Sequence, residues 1–417
     1  MLHRLISLKG IWGIFFLLAP CALPLANAQE QIRVWKEGDS KRFTTSEILF
    51  SNDGATLSVA DSTYDCAQLD SITIVHTVTV TFAGDTAYVD YGHAPNVTDT
   101  IQGAHVKLVS TNTKSELEFV LQGESTHGSL TYDGPLKCKF YLNGLNLKSD
   151  RGAAIDIQCG KRVDLILNEG TENILEDATG GEQKAALYCK GHLEVSGSGS
   201  LTVTGNTRHG IATKEYLQLK RSTGSITVNK AEADAMHVGQ YFLMNGGTLN
   251  ISGQGGEGIQ VETMMIITEN NDTIPNPEKE DNGQMFINGG TLNITAAADC
   301  SKAIKAPIDL IITGGTFEIA ASGKGSKGFS VSHDLIVGEE TGTTSIIIRA
   351  SGGIWENPDD EDDESFCTAI KVKRNIVVNA GTIRISNKGS GTRGVKCNGT
   401  ITIAPGAIVS GSGWPKQ

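Results

Sequence analysis

A short pattern of apolar and outward-facing positions recurs along most of the chain. Each copy begins with a small residue, which is followed by an aliphatic residue, an outward position and a second apolar position. The small residues of the copies are Ala154, Ala186, Gly210, Ala235, Gly258, Ala303, Gly328, Ala369 and Gly394. Most copies lie 23 to 25 residues apart, and the longer intervals are 32, 45 and 41 residues. The pattern therefore indicates a repeat of about 25 residues.

A second strand signal follows about half a repeat downstream. Segments such as GSGSLTV (197–203), STGSITV (222–228) and NGGTLNI (245–251) place alternating β-branched residues behind glycine, as in a strand that leaves a turn. A repeat made only of strands and turns is typical of a solenoid, whose units cannot bury their apolar faces alone. We therefore predict an all-β fold, a right-handed parallel β-helix of about ten coils, with equivalent positions about 4.8 Å apart in neighbouring coils.

The aliphatic positions of the repeat should form one continuous ladder inside the solenoid. They are Leu187, Ile211, Met236, Ile259, Ile304, Phe329, Ile370 and Val395. A β-propeller would need about 40 residues and four antiparallel strands in each blade, and a β-sandwich would not keep register. The 49 glycines among 417 residues also favour tight coils, which need many turns with positive φ.

The first 28 residues predict a secretory signal peptide. Arg4 and Lys9 precede an apolar run that ends at Ala26-Asn27-Ala28, which is typical of cleavage behind Ala28. The run is too short for a membrane span, and no other segment of the sequence predicts one. A lipoprotein site at Cys21 is the alternative, although Pro20 directly before the cysteine fits it poorly. We expect an exported protein, either secreted or located at the cell surface or in the periplasm.

The mature chain is acidic and contains an odd number of cysteines. Without residues 1–28 it has 33 basic and 47 acidic side chains, a net charge of −14, so nucleic acid is not an expected partner. We expect a monomer. The seven remaining cysteines show no CxxC spacing, which argues against a zinc or thioredoxin-like site. Their disulfide pairing is left open by the sequence.

Two structural regions follow the signal peptide. Residues 29–76 contain short strand signals with Asp-Gly and Gly-Asp turns. They predict a small β-meander, which would cap the open end of the solenoid. From residue 77 to residue 417 the strand signals continue through the repeats, and we assign this range to the β-helix.

Several consecutive segments of this range resemble one family in order and spacing. The segments are GAHVKLVSTNTKSELEFVLQGES, KCKFYLNGLNL, GKRVDLILNEGTENIL, AALYCKGHLEVSGSGSLTVTGN and HGIATKEYLQL. They resemble the bacterial carbohydrate-binding-domain β-helix family, which is similar to pectate lyases in fold. The resemblance implies binding of plant-cell-wall polysaccharides of the cellulose or polygalacturonate type, and bound calcium. Function inferred in this way rests on analogy.

The calcium expectation depends on acids in the turns before the aliphatic positions. The family's turn resembles Asp-Asp-Gly-Ile, and carboxylate oxygens are the ligands that Ca²⁺ prefers. The candidate metal ligands here are Glu232, Asp234, Glu257 and Asp299. Asp234 and Glu257 should lie about 5 Å apart in adjacent coils, where a cation would relieve their repulsion. The alternative is a set of solvated turn acids, and later coils carry Lys302, Lys327 and Arg393 at this position instead.

A column of cations on the repeated strand suggests an acidic ligand. Such a ladder would suit a polyanion such as polygalacturonate, although the lysines could equally serve only to keep the strand stack soluble. Tyr188 on the same face could stack on a sugar ring. The candidate ligand-binding residues are Tyr188, Lys190, Lys214, His237, Lys305, Lys371, Lys373 and Lys396.

Two insertions interrupt the repeat, and both are acidic. One carries Glu269 and Asp281, and the other runs from Trp355 to Phe366 and includes six consecutive acids, residues 359–364. The six acids lack the spacing of an EF-hand loop, so we expect a solvated loop, with weak calcium binding as the alternative. Trp355 could be a sugar platform or could anchor the loop.

The sequence favours a binding protein over an enzyme. Lyase chemistry requires an Arg or Lys base near calcium, and hydrolysis requires a pair of carboxylates; the repeated strand carries no such pair. We therefore expect an exported, non-catalytic carbohydrate-binding protein. The alternatives are a structural surface protein or adhesin, and a pectate-lyase-like polysaccharide lyase that uses Lys214 or Arg208 near Asp234.

Overall fold

We describe the protein from a computed structural model. The residues described are 6–7, 31–37, 39–44, 48–51, 53–92, 94–339 and 343–415. Apart from the two-residue strand Ile6–Ser7, the predicted signal peptide and its cleavage site lie outside these residues. No helix in the described part of the chain is long and apolar enough to cross a membrane.

The chain forms a parallel β-solenoid of about twelve turns, consistent with the predicted right-handed parallel β-helix and slightly longer than the ten coils expected. Most coils contribute one strand to each of three parallel ladders, which we call the first, second and third faces. The first face contains the small-aliphatic repeat, and the third face contains the strands that follow glycine. The repeat pattern of the sequence does not distinguish the second face from its neighbours.

The strands of each face follow in chain order. The first face consists of Ala104–Ser110, Gly128–Asp133, Ile155–Ile157, Ala185–Cys189, His209–Thr213, Met236–Val238, Ile259–Val261, Lys302–Ala306, Lys327–Val331, Asp360–Val372 and Thr392–Cys397, with Val97–Gln102 antiparallel at its edge. The second face consists of Leu117–Ser125, Cys138–Lys148, Val163–Leu167, Leu193–Ser196, Leu217–Leu219, Phe242–Met244, Met285–Ile287, Leu310–Ile312, Leu335–Val337, Ile376–Val378 and Ile401–Ile403. The third face pairs onto the end of Cys138–Lys148 and consists of Glu172–Glu176, Ser200–Gly205, Ser225–Ala231, Thr248–Ile251, Thr291–Ala296, Gly315–Ala321, Thr344–Ala350, Thr382–Asn387 and Ile408–Ser410.

The predicted interior ladder runs in register through the first face. Leu187 pairs with Ile211, Ile211 with Met236, and Met236 with Ile259, and the ladder continues through Ile304 and the later coils. Its members are at most 2% exposed as far as Ile370. The small residue before each aliphatic also joins the core, as Ala235 and Ala303 do. The residue before the small one and the residue two places after it therefore point away from the interior ladder, and several of them are covered by neighbouring segments.

The N-terminal region packs on the first coil and has its own core. Its strands are Gln31–Lys36, Asp39–Thr44, Ile48–Phe50, Thr56–Val59 and Ser62–Asp65, followed by the 3₁₀ helix Cys66–Gln68. The strand Ser71–Ala83 belongs to both regions: residues 71–75 pair with Gln31–Lys36, and residues 76–83 pair with Leu117–Ser125. The strand then turns back into Thr86–Asp90. Ile32, Val34 and Phe43 form a cluster separate from the core of the solenoid.

The two acidic insertions form β-hairpins. The first pairs Met265–Ile267 with Thr273–Pro275, and the second pairs Ile354–Asn357 with the beginning of Asp360–Val372. The second hairpin replaces the irregular loop expected from the sequence. All seven described cysteines are free thiols; Cys189 is buried and Cys397 is partly exposed.

Candidate functional site: the outer surface of the first face

Two columns of side chains run along the outside of the first face. Parallel pairing fixes their register, because each coil aligns residue for residue with the next. Column one contains Ala185, His209, Asp234, Glu257, Lys302, Lys327, Thr368 and Arg393. Column two contains Tyr188, Ala212, His237, Gln260, Lys305, Ser330, Lys371 and Lys396. The polarity of the face therefore changes from apolar, through acids and histidines, to cations along the solenoid.

The cations at the far end of the face are poorly compensated. Lys371 and Lys396 are direct neighbours in adjacent coils, and Lys373 lies two residues beyond Lys371. None of these three lysines forms an ion pair with another described residue. Burial and then the charges of Lys396, Lys373 and Lys302 lower the pKa of Lys371 below its ordinary value. Like charges are thus held together, and no carboxylate in the part of the chain that the structure describes forms an ion pair with these three lysines.

Lys305 and its neighbour in column one are compensated. The Nζ atoms of Lys302 and Lys305 lie 2.9 and 3.3 Å from Glu257 Oε1, and Lys305 also donates to Gln260 Oε1 over 3.0 Å. Lys305 therefore lies at the edge of the cationic surface, next to an acid in the preceding coil.

The remaining predicted ligand-binding residues lie far from this cationic end. Lys190 and Lys214 are exposed in adjacent coils, and several coils separate them from Lys373. Tyr188 is only 8% exposed, packs with Ala185 and Ala212, and has the Nζ of Lys184 at 5.1 Å from its ring centroid. This arrangement leaves no open ring face for the sugar stacking that the sequence suggested for Tyr188.

The four predicted calcium ligands do not converge on a calcium site. Asp234 and Glu257 occupy neighbouring positions of column one, as the register requires, but Glu257 turns away to Lys302. Glu232 pairs with Lys230 over 2.9 Å, and Asp299 accepts the backbone N–H of Lys324 over 2.9 Å. The carboxylate oxygens are thus engaged with cations and backbone N–H groups, whereas Ca²⁺ requires six to eight oxygen ligands. Calcium binding itself stays a prediction.

Asp234 instead lies between two histidines. Its Oδ2 is 2.8 Å from His237 Nδ1 and 3.4 Å from His209 Nδ1, and the two imidazole rings stack with centroids 4.2 Å apart. His209 and Asp234 are buried, and His237 is half-buried. His237 was a predicted site residue. His209 was missed, although the repeat register already places it beside Asp234 in the adjacent coil.

The two histidines have opposite electrostatic surroundings. Burial, reinforced by the positive charge of His237, lowers the pKa of His209 to about 4. Burial also opposes a charge on His237, but hydrogen bonds with Asp234 and Glu262 outweigh it and raise the pKa of His237 to about 9. Burial likewise disfavours the Asp234 carboxylate, yet the bonds to His237 and to the N–H of Glu257 lower its pKa to about 2. At neutral pH the neutral His209 therefore stacks on a cationic His237.

Lys327 interrupts the cationic surface because the second hairpin covers it. It is 4% exposed, and its Nζ donates to Gly325 O, to Ser365 Oγ at 2.8 Å and to Phe366 O at 2.9 Å. Burial, followed by the charge of Lys371, lowers its pKa to about 8. The sequence places Lys327 in its column but gives no sign that an insertion would fold over it.

Other candidate carbohydrate surfaces are less suitable. His192, Tyr216 and Tyr241 form a stack with centroid distances of 4.3 and 4.6 Å, so their ring faces are largely used by one another. A shallow concavity of about 600 Å³ lies at the corner between the second and third faces, where Arg221 and Glu339 line it. It is remote from the lysines, and a linear polymer binds along a face without needing a closed pocket.

Comparison with known proteins identifies a family that matches most of the solenoid. Residues 102–414 match the family described as "Carbohydrate-binding domain-containing protein". A carbohydrate-binding domain-containing protein of Acetivibrio thermocellus (strain ATCC 27405) is 32% identical over 95 residues, which cover 21% of this chain and 32% of that relative. The chain thus matches about a third of the relative's length.

One solved structure shows a weaker likeness. It is a polysaccharide lyase-like protein from C. thermocellum, a gadolinium derivative, with a TM-score of 0.45 and 19% identity, covering 80% of this chain and 99% of that chain. The family match, by contrast, includes nearly every coil of the solenoid. Because it covers well over half of the sequence, the chain belongs to the carbohydrate-binding domain-containing protein family.

Proposed function

We propose that the protein is an exported, non-catalytic binding protein for an acidic polysaccharide of the plant-cell-wall type, secreted or held at the cell surface or in the periplasm. Family membership supports carbohydrate as the ligand class. The acidic character of the glycan is inferred from the cationic end of the first face, which we define as Lys371, Lys373, Lys396 and Arg393.

The observation that carries this proposal is the absence of compensating acids around Lys371, Lys373 and Lys396 within the described chain. The whole sequence has a net charge of −12, so the clustering runs against the average composition of the surface. Uncompensated ammonium groups repel one another, and burial together with the charges of Lys396 and Lys373 lowers the pKa of Lys371. A carboxylated polymer lying along the coils would relieve this repulsion over several positions at once.

Calcium is retained as a proposed auxiliary cation rather than as an occupant of the acidic turns. The four candidate ligands engage protein groups, so no coordination geometry is assigned to them. In this role Ca²⁺ would bridge a carboxylate on the protein surface and a carboxylate of the glycan. Comparison of glycan binding in calcium and in chelator tests this directly.

A polysaccharide lyase is the second candidate, because Lys327 has the lowered pKa of about 8 that suits a general base. Its surroundings favour a structural role instead. All three of its N–H groups are bonded beneath the hairpin, and the side chain does not reach an open surface. We therefore propose binding without cleavage.

The decisive experiment is retention of the purified protein on immobilised polygalacturonate and on cellulose, with calcium and with chelator. Lys371→Glu/Lys396→Glu is the test variant. Lys190→Glu/Lys214→Glu is the matched control, because it makes the same charge change in earlier coils of the same face, away from the cationic end. We expect the test variant to lose at least tenfold in affinity for polygalacturonate and the control to change less than twofold.

Each other outcome has a defined meaning. Equal losses of affinity for polygalacturonate in both variants would contradict the proposal that the cationic end is the binding site. Absorbance of an unsaturated product would identify a lyase. Failure of the wild-type protein to bind any glycan would favour a structural surface protein or adhesin.

A further inference from the structure

We propose that His209, Asp234 and His237 form a binding site for a divalent transition metal ion, with Zn²⁺ as the reference ion. One ligand atom from each residue lies within 4.8 Å of the others, and this is the one such group of three or more among the described residues. The inference concerns this chain's own histidines and does not depend on the identity of the glycan.

The donor set determines the class of metal. Imidazole nitrogen suits Zn²⁺, Cu²⁺ and Ni²⁺, whereas Ca²⁺ takes oxygen ligands almost exclusively. Zinc–ligand bonds of about 2.0–2.1 Å place tetrahedral ligand atoms about 3.3 Å apart. The separation of 3.4 Å between Asp234 Oδ2 and His209 Nδ1 is close to that value. The separation of 2.8 Å to His237 Nδ1 requires only a small outward movement.

The surrounding groups hold two of the ligands in position. Glu262 Oε2 lies 3.3 Å from His237 Nε2, so His237 can present Nδ1 to the metal while its other nitrogen donates to a carboxylate, an arrangement common around protein-bound zinc. The N–H of Glu257 donates to Asp234 Oδ1 over 2.8 Å, which leaves Oδ2 directed at the histidines. A Cβ at Gly256 would lie 2.5 Å from Asp234 Oδ1, so glycine allows this turn to close over the carboxylate.

Two existing contacts must be exchanged when the metal binds, the hydrogen bond between His237 Nδ1 and Asp234 Oδ2 and the bond that His209 Nδ1 accepts. The backbone N–H of Asp234 donates to His209 Nδ1 over 3.2 Å, and the metal takes over this lone pair. The proton on His237 Nδ1 is released at the same time. Three protein ligands leave a fourth position for water or for an oxygen atom of a ligand, as in open zinc sites.

Calorimetric titration of the chelator-treated, dialysed protein with Zn²⁺, and separately with Ca²⁺, tests the proposal. We expect one Zn²⁺ per chain at this site and no competition by Ca²⁺. His209→Gln/His237→Gln should weaken the affinity more than 100-fold, and Glu262→Gln should weaken it about 10- to 100-fold. His127→Gln, which changes an exposed histidine outside the cluster, is the control and should bind as the wild type does.

Cobalt provides a readout that does not depend on the variants folding. Co²⁺ bound to the wild-type protein should give the visible bands of a four-coordinate nitrogen and oxygen site. A sulfur-to-cobalt charge-transfer band would assign the metal to the free thiols and overturn the proposal. It would also be overturned by displacement of Co²⁺ by Ca²⁺, or by unchanged Zn²⁺ affinity in a folded double-histidine variant.

Discussion

At the scale of single residues, the glycines of the solenoid differ in how closely the preceding coil packs against them. Gly197 adopts φ +86°, and an added Cβ would lie 2.1 Å from Leu167 O in the preceding coil. Gly170 adopts a similar φ of +71° but has no atom within 4 Å of such a Cβ. The pair therefore separates the cost of backbone strain from the cost of a collision between coils.

Gly197→Ala should lower the free energy of unfolding by about 3 kcal/mol or more, because strain and overlap add. Gly170→Ala, which adds strain alone, should lower it by about 1 kcal/mol. Urea unfolding of both variants beside the wild type measures the two values. Equal losses would show that the coils can separate locally to admit the extra methyl group.

A buried carboxylate, that of Glu118, joins the N-terminal region to the solenoid. Arg33 and Arg42 of the meander and Lys139 of the second face all contact Glu118, whose side chain is 3% exposed. Burial alone would raise the pKa of Glu118, but the hydrogen bond from Arg42 and the charges of Arg42, Lys139 and Arg33 lower it below the ordinary 4.5. One acid thus neutralises cations from two regions.

Glu118→Gln should lower the free energy of unfolding by up to about 3 kcal/mol at neutral pH, since it leaves three partly buried cations unpaired. The Glu118 pKa is lowered by folding, so its stabilisation is present above pH 4.5 and is lost as the pH falls through the folded pKa. The difference between variant and wild type should therefore shrink in acid. Glu116→Gln is the control, because its ion pair with Lys137 is half-exposed and should contribute less than about 1 kcal/mol.

At the scale of elements, the second acidic hairpin is an insertion fixed to the solenoid by a lysine of the first face. Lys327 bonds to Ser365 and Phe366, and the guanidinium of Arg393 lies 3.4 Å from the Phe366 ring centroid. The hairpin thereby covers Lys327, and the cationic end of the face lies beside it.

Lys327→Met should release the hairpin without unfolding the coils. Loss of the bonds to Ser365 Oγ and Phe366 O should cost about 1–3 kcal/mol locally, so limited proteolysis within 354–366 should become about 5- to 150-fold faster. Lys324→Met is the control, because Lys324 is exposed three residues away. Cleavage at the wild-type rate would mean that Arg393 and Phe366 suffice to hold the hairpin.

At the scale of the whole molecule, charge is distributed unevenly over an acidic solenoid. A net charge of −12 repels a polyanion at long range, while the cationic end attracts it at contact. Salt screens exposed charges beyond about 8–10 Å at moderate ionic strength. The distance between the lysine ammonium groups and a bound carboxylate is shorter than this screening length. Their attraction is therefore weakened only when the salt concentration rises further.

Affinity for polygalacturonate should therefore fall at least tenfold between about 0.1 and 1 M NaCl, where the screening length shortens to about 3 Å. Binding to uncharged cellulose, if present, should change little over the same range. Co-sedimentation at several salt concentrations measures both. Salt-independent binding of polygalacturonate would show that the lysines do not provide the affinity.

The periodicity of the sequence is sufficient to predict the repeat, the parallel β-helix, the interior ladder and the alignment of Asp234 with Glu257. These features follow from periodicity, because equivalent positions of successive coils must stack once one register is set. The partner with which each outward side chain forms its hydrogen bonds and ion pairs became clear only from the tertiary structure. Glu257 turns to Lys302, Asp234 to the histidines, and Lys327 to an inserted hairpin. Such choices depend on burial and on charges supplied by other coils, and the repeat pattern of a single coil carries no information about either.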